Sequence, residues 1–523
     1  MKKHIILTFT AILYGLTIWA IPAKPGLTRA FTLTDGTIVE ATLLGDEYDH
    51  AWITEDGRII DTESGTTMDE TTFPKVQQAP RRVRHAGNKL NIAPRGLVIL
   101  VNFSDIAFKT SKTEWEAMLN SRNYTRRYTS NGRTIVSSGS AWKYFNDVSF
   151  GQYSPVFDVV GPVTVSRNCA YYGSNNRSGS DMHPEEMVKE ACELVEDSVD
   201  FSLYDNDNDG KVDFVYIFYA GYGEADGGAA TTIWPHNYLL WTYSRVSCVV
   251  DGKRVDNYAC SNELDYSDDQ HDGIGTFCHE FSHVLGLPDL YVTQSGSKHK
   301  TLGEWDILDA GPYNNNGNTP PAYSAYERFF MGWLNPTTMP EQADITLPDL
   351  KSSNAAIIMT EDGSAHNMSG ISPAPTTFYM LENRQQTGWD EYLPWHGMLI
   401  TKIQYNENKW VRNIVNDDAD NQGVDIIEAD GNAPEKNSGK AGDAFPKGSK
   451  SFTDVANYQI TNIRETNGTI TFKVNGGGDA VVISDVENLL DGTANKPCVY
   501  MQDGRIFIRV NDVTYDIYGN RIL

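Results

Sequence analysis

Hydrophobic and polar positions change rhythm several times along the chain, and each rhythm predicts a different element. Lys2, Lys3 and His4 precede an apolar run from Ile5 to Ala20 that contains Thr8, Thr10 and Thr17 and leads to Ala23. A basic start, an apolar middle and a small-residue exit predict a cleavable secretory leader over residues 1–23. It is short for a membrane span. From Gly26 to about Pro94, polar and apolar residues alternate around turns at Asp35-Gly36 and Asp56-Gly57, and the stretch then becomes basic at Arg81-Arg82-Val83-Arg84-His85. That alternation predicts a small β-rich module, and the arginines predict an exposed linker open to activating proteolysis. Residues 24–93 therefore read as a propeptide.

In the main body, Phe214 to Ala220 is an apolar run of strand length, and Asp251-Gly252 predicts a hairpin turn that sets Cys248 opposite Val255. Phe277, Phe281 and Val284 recur at helical spacing and predict a helix with one face to the core. After Pro320-Pro321 a helix-like run carries Ala325, Tyr326, Glu327 and Met331. Residues 94–340 read as an α+β domain, a twisted mixed sheet with one functional helix, and residues 341–477 as a β-rich, sandwich-like companion. Gly476-Gly477-Gly478 breaks the chain before three β-type runs, Cys498 to Met501, Arg505 to Val510 and Val513 to Ile517, so residues 478–523 form a short β tail.

Composition narrows the function classes. The 523 residues hold 43 Lys+Arg against 69 Asp+Glu, a net charge of −26, which repels a phosphate backbone and excludes nucleic acid as a partner. With 27 Tyr, 20 Phe and 11 Trp the chain has the bulk for packed cores, and its length exceeds what one core supports. After the N-terminus no apolar stretch is long enough to span a bilayer. Six scattered cysteines without CxxC spacing do not make a disulfide framework and read as small buried hydrophobes.

The chemistry concentrates in Gly275 to Asp289, GTFCHEFSHVLGLPD. His279 and His283, one helical turn apart, present both imidazoles to one ion, and Glu280 stands beside the first of them to polarise a water. Gly286 can take the left-handed conformation that ends a helix and reverses the chain, which would return Asp289 to the metal. The spacing HExxHxxGxxD is similar to the extended motif of the metzincin clan, with Asp where the third His usually stands. Glu327, on the following helix, is the rival carboxylate for the third zinc position. A second constellation, Asp205, Asp207, Asp209, the Lys211 carbonyl and Asp213 around Gly210, matches three quarters of an EF-hand-type loop and predicts a structural Ca²⁺ site. The twelfth position is Tyr216, so no bidentate carboxylate closes it.

HEFSHVLGLPDLY, EWDILDAGPYN, the upstream IWPHN from Ile233 to Asn237 and the DNDNDGKVD loop together resemble the immune-inhibitor-A-like family of secreted zinc metallopeptidases. LENRQQTGWDEYLPWHGMLI from Leu381 and IIEADG from Ile426 resemble the segment that follows the catalytic domain there, so the likeness spans residues 95 to 475. The resemblance implies a metzincin-like fold and a bacterial endopeptidase, secreted or at the cell surface and made as a zymogen, acting on proteins or peptides. It implies zinc on His279, His283 and Asp289 with Glu280 as general base. Leu308 stands where the family's turn beneath zinc has Met. A residue that packs rather than ligates tolerates that exchange. Tyr313 or Tyr326 is expected to assist an oxyanion. No cysteine precedes Cys169, so a propeptide ligand to zinc would be Asp46, Asp49 or His50. The C-terminal tail looks like a type IX secretion sorting domain of Bacteroidetes. Leu308 alone leans toward a second class, a secreted binding protein on an inactive scaffold.

Overall fold

The computed structural model describes residues 19–46, 50–62, 64–69, 94–176, 179–293, 299–432, 439–484, 498–502, 505–510 and 513–516. The part of the expected leader before Trp19 and the basic stretch Arg81 to His85 lie outside these residues. The fold is mixed α+β, with several sheets and short helices.

The run RGLVILVN forms a strand, Arg95–Asn102, because a near-continuous apolar sequence suits a strand covered on both faces. Its alternate side chains feed two cores. Val98 and Leu100 join the core that holds Phe277 and Phe281, whereas Leu97, Ile99 and Val101 join a second one with Met187, Val188 and Cys192 of the helix Pro184–Val195. Four parallel strands, Val156–Thr164, Arg95–Asn102, Val215–Tyr222 and Asn257–Leu264, make the body of this sheet. The strand His236–Leu239 then runs antiparallel to its neighbour and forms the rim of the cleft. The anticipated hairpin is present, with Cys248 paired to Val255.

The helix Gly275–Val284 packs beneath the sheet with every residue buried. Phe277, Phe281 and Val284 are its core stripe, and Phe281 meets Phe145, Phe157 and Phe214 edge-on. Its first residue must be small, since a Cβ on Gly275 would lie 1.9 Å from the Pro312 carbonyl oxygen.

After residue 336, two five-stranded sheets follow, one built around Thr377–Arg384 and one around Thr469–Val474. One core draws on both, through residues such as Ile357 and Leu381 of the first and Ile345 and Phe472 of the second. The opposite face of the first sheet supplies Phe378, Met380 and Leu399 to the core that also holds Phe281 and Leu308. Apolar packing is thus continuous across residue 340. At the N-terminus, five strands from Thr28 to Asp69 pair in sequence as an antiparallel sheet. The tail runs Cys498–Gln502, Arg505–Val510 and Val513–Asp516 pair likewise; their two turns lie outside the described residues. Among the described residues no helix is long and apolar enough to cross a membrane.

Candidate metal centre and its cleft

One helical turn separates His279 from His283, and Gly286, at φ 102°, reverses the chain so that Asp289 returns to them. His279 Nε2 and His283 Nε2 lie 3.0 Å apart, and Asp289 Oδ1 is 3.3 Å from the first and 3.0 Å from the second. All three side chains are buried. The protonation pattern shows what this triangle suits. His279 Nδ1 is 2.7 Å from the Ile307 carbonyl and His283 Nδ1 is 2.9 Å from the Leu287 carbonyl. A carbonyl only accepts, so each neutral ring carries its proton on Nδ1 and turns an Nε2 lone pair inward. Two lone pairs and a carboxylate converging in this way call for a cation, and among the described residues Asp289 Oδ1 finds no donor with hydrogen-bond geometry. Zinc at about 2.0–2.1 Å from each ligand would hold tetrahedral ligands roughly 3.3 Å apart, so the donor set fits. Burial pushes the His283 imidazole down to about 4, which keeps it neutral.

Support comes from two distant segments. The turn Trp305-Asp306-Ile307-Leu308 passes under the histidines, where Ile307 accepts from His279, Leu308 accepts a main-chain bond from Leu290, and Asp306 Oδ1 caps the Leu308 amide. The turn works through its main chain while the Leu308 side chain only fills the core, which is why Leu serves there. Asn413, from the C-terminal β region, holds both ends of Asp289. Its Oδ1 accepts from the Asp289 amide at 2.8 Å, and its Nδ2 donates to Asp289 Oδ2. Nothing in the sequence pattern singled out Asn413.

The cleft above the triad is filled by the chain's own N-terminal segment. Trp19–Ala20 pairs antiparallel with the rim strand, opposite Asn237 and His236. The next amide, Ile21 N–H, donates to Glu280 Oε1 at 2.9 Å. Trp234 Nε1 then donates to the Ile21 carbonyl and the Tyr313 hydroxyl to the Pro22 carbonyl, at 2.9 and 2.6 Å. Ile21 is wholly buried in a small core with Leu43 and Trp52 of the N-terminal module and Trp234 of the main body.

Several expectations need correction here. His50 does not approach the triad. Its Nδ1 donates to the Asp46 carbonyl, its Nε2 lies 3.1 Å from Glu224 Oε1, and its ring stacks on Trp234. Although burial works against the charge, Glu224 outweighs it and raises the His50 pKa. Asp49 lies outside the described residues. Glu327 is not at the triad either: its Oε2 accepts from the Ser324 amide in a capping box, because a carboxylate three residues into a helix reaches back to the N-cap. Burial, with Asp306 nearby, raises its carboxyl well above the usual range. Tyr326 packs in the core against Phe378 and Trp410 rather than facing the cleft; Tyr313 does face it. Ile21 to Ala23, within the expected leader of residues 1–23, are seated in the cleft. Apolar residues satisfy a leader and a pocket equally well, so hydrophobicity could not separate the two.

The rim strand contains a titrating device. His236 is buried, with Nδ1 donating to the Trp234 carbonyl at 2.6 Å and Nε2 accepting from the Tyr258 hydroxyl at 2.8 Å. Burial lowers its pKa from 6.5 to about 4. Between those values the unfolded chain binds a proton that the folded chain refuses, so stability falls as pH drops from 6.5 toward 4, by on the order of 3 kcal/mol from this group. Urea unfolding at pH 7.5 and pH 5 should show that His236→Phe takes up about one proton fewer on unfolding than wild type. Equal proton uptake by the two would rule the imidazole out.

In the acidic loop, the carboxylates of Asp205, Asp207 and Asp209 come within reach of one ion. Asp213 instead accepts from Asn206 N and Nδ2, and Lys253 Nζ is 2.6 Å from Asp205 Oδ2. Lys211 opens a short strand paired to Arg254, and Asn206 exchanges hydrogen bonds with the Arg95 main chain. The loop therefore ties the entry of the first central strand to the sheet. The strand Val215–Tyr222 that follows it matches the expectation from Phe214 to Ala220.

Residues 86–334 match the family described as immune inhibitor A peptidase M6, catalytic domain. The chain is 28% identical over 342 residues to the Pre-pro-metalloprotease PrtV of Vibrio cholerae serotype O1, an overlap of 55% of this chain and 36% of that protein. It is 26% identical over 269 residues to Immune inhibitor A of Bacillus thuringiensis subsp. alesti, covering 45% of this chain and 39% of that one. The match thus spans little more than a third of the length of these curated relatives.

Proposed function

Through residues 86–334 the chain belongs to the immune inhibitor A peptidase M6 family, and from that premise we propose that it is a secreted, zinc-dependent endopeptidase of metzincin type, made as a zymogen. The observation that carries this reading is the peptide N–H on Glu280. A main chain lies across the cleft with its amide 2.9 Å from the carboxylate that stands beside the three converging donors. That is the position of a leaving amine.

His279, His283 and Asp289 would hold the zinc, which when bound supplies Lewis acidity to water and to a scissile carbonyl. Glu280 accepts the proton of the attacking water and returns it to the leaving nitrogen, the atom whose place Ile21 N occupies. The rim strand orients the peptide by antiparallel pairing, and Trp234 and Tyr313 fix the next two carbonyls. Asn413 keeps Asp289 aimed at the histidines. The N-terminal module, residues 24–93 with Ile21 to Ala23 before it, maintains latency by filling the cleft with main chain, and cutting near Arg81 to Arg84 would release it. We read the shared core of the two C-terminal sheets as a sandwich-like companion to the catalytic part, residues 478–523 as a sorting tail, and Asp205, Asp207, Asp209 and the Lys211 carbonyl as a structural Ca²⁺ site. Proteins or peptides outside the cell, at or beyond a bacterial surface, are the substrates. The alternative of an inactive binding scaffold rested on Leu308, and the main-chain role of that turn removes its support.

The test is casein hydrolysis by the full chain before and after limited proteolysis of the basic linker, with and without a zinc chelator. Activity is expected only after cutting, is lost with the chelator and returns with zinc, and the secreted chain before cutting should still contain Ile21. A cut, zinc-loaded chain that leaves casein intact would overturn the assignment.

A further inference from the structure

Three residues beyond the amide on Glu280, the docked segment places an ammonium among carboxylates. Lys24 Nζ is 2.8 Å from Asp265 Oδ2 and 3.4 Å from Asn316 Oδ1. The other Asp265 oxygen is held by Ser267 N and Oγ at 2.7 and 2.6 Å. Asp226 and Asp272 line the same pocket. Asp272 accepts from the Gly273 amide and from Thr276 in the first turn of the functional helix. Asp226 is 7% exposed, with Oδ2 accepting from the Tyr266 amide, and its Oδ1 has no hydrogen-bond partner among the described residues. The filled pocket keeps a residual cavity of only about 10 Å³.

Apart from the Ile21 side chain, which is packed in an apolar core, the hydrogen bonds that pin this segment in the cleft are to its main chain: Ile21 N and O, the Pro22 carbonyl, and Lys24 N donating to the Ala225 carbonyl. Any extended peptide could make those bonds. The Lys24 ammonium alone reads side-chain identity by charge. The three carboxylates belong to residues 226–272, within the catalytic segment, so they stay behind when the N-terminal segment leaves.

We infer that Asp226, Asp265 and Asp272 form a substrate subsite for a Lys or Arg side chain, three residues past the one whose N–H meets Glu280. The enzyme thus selects peptides with a base on the leaving-group side, and Lys24 occupies the subsite in the latent chain. The inference rests on the peptidase reading above. Burial, then Asp265, raises the Asp272 carboxyl to about 7, and burial and Asp265 likewise raise Asp226, so the emptied pocket favours a cation. Lys24 keeps a raised pKa because Asp265, Asp226 and Asp272 outweigh the burial that opposes its charge.

Two measurements test this. The first needs no catalysis: hydrogen exchange of the Ile21 to Leu27 amides in the full chain, wild type against Lys24→Arg, Lys24→Ala and Lys24→Glu. Arg should protect as Lys does, whereas Ala and Glu should exchange about 10-fold faster or more, the scale of one charge-assisted hydrogen bond. Wild-type protection in Lys24→Glu overturns the subsite. The second uses the activated chain and quenched fluorescent peptides with the sequence of residues 17–26, Ala in place of Pro22, and Lys, Arg, Ala or Glu at the position of Lys24. The kcat/KM ratio of the Lys to the Glu peptide should be about 10- to 100-fold and collapse toward one in Asp265→Asn. Equal cleavage of both peptides by the wild type overturns the subsite and leaves the peptidase reading standing. A zinc-loaded, activated chain that cleaves neither these peptides nor casein overturns the peptidase reading itself.

Discussion

Glu280→Gln is expected to lower peptide hydrolysis by the activated chain about 10²- to 10⁴-fold while zinc content and folding stay at wild-type level. The amide is nearly isosteric with the carboxylate and still offers an oxygen to the Ile21 N–H, so the latent form should dock its N-terminal segment normally. What the amide cannot do is take a proton from water and deliver it to the leaving nitrogen. Zinc analysis, thermal unfolding and hydrolysis of a denatured protein, run on the same preparation, separate these effects. Wild-type turnover by Glu280→Gln would show that another group is the base.

Asp289→Ala should abolish zinc retention and activity together. Losing even the outer partners of a metal ligand commonly weakens metal binding about 10- to 100-fold, and removal of a ligand itself exceeds that. In this chain it also leaves Asn413 Nδ2 and two inward imidazole lone pairs without the carboxylate they surround. Glu327→Ala is the control, because that carboxylate caps a helix rather than joining the triad. It should retain zinc and lose roughly 1 kcal/mol or more of stability. Zinc retained in Asp289→Ala but lost in Glu327→Ala would reverse the assignment of the third ligand. Asn413→Ala should fall between, with weakened zinc and an intact helix cap.

Legibility in the sequence followed the range of the physics involved. The helix Gly275–Val284 could be read because two histidines, a glutamate and an apolar stripe lie within ten residues and follow the helical repeat. The hairpin at Asp251-Gly252 and the strand after the acidic loop were likewise set by local turn chemistry and short apolar runs. Asp289 was nameable only with Glu327 beside it as a rival, since either carboxylate could have returned to the histidines. The path of the chain after Gly286, and the Asn413 clamp 124 residues away, decide between them. Asp46 and His50 were plausible zinc ligands by residue type, yet the structure turns His50 to Glu224. The N-terminal segment meets the candidate metal centre through a main-chain amide, and a main-chain amide has no sequence signature.

By itself, then, the sequence determined what is local: two histidines and a glutamate on one helix, the acidic loop, the order of the elements and the leader-like apolar start. Chemistry within one or two turns depends on spacing, and spacing is written in the chain. Tertiary structure decided which distant groups share a site. It set Ile21 against Glu280 across 259 residues, Lys24 against Asp265 across 241, and Asn413 against Asp289 across 124. The first two contacts arise because a wholly buried apolar side chain and a pocket of three carboxylates select the segment that fills them, and that selection depends on shape and charge in three dimensions.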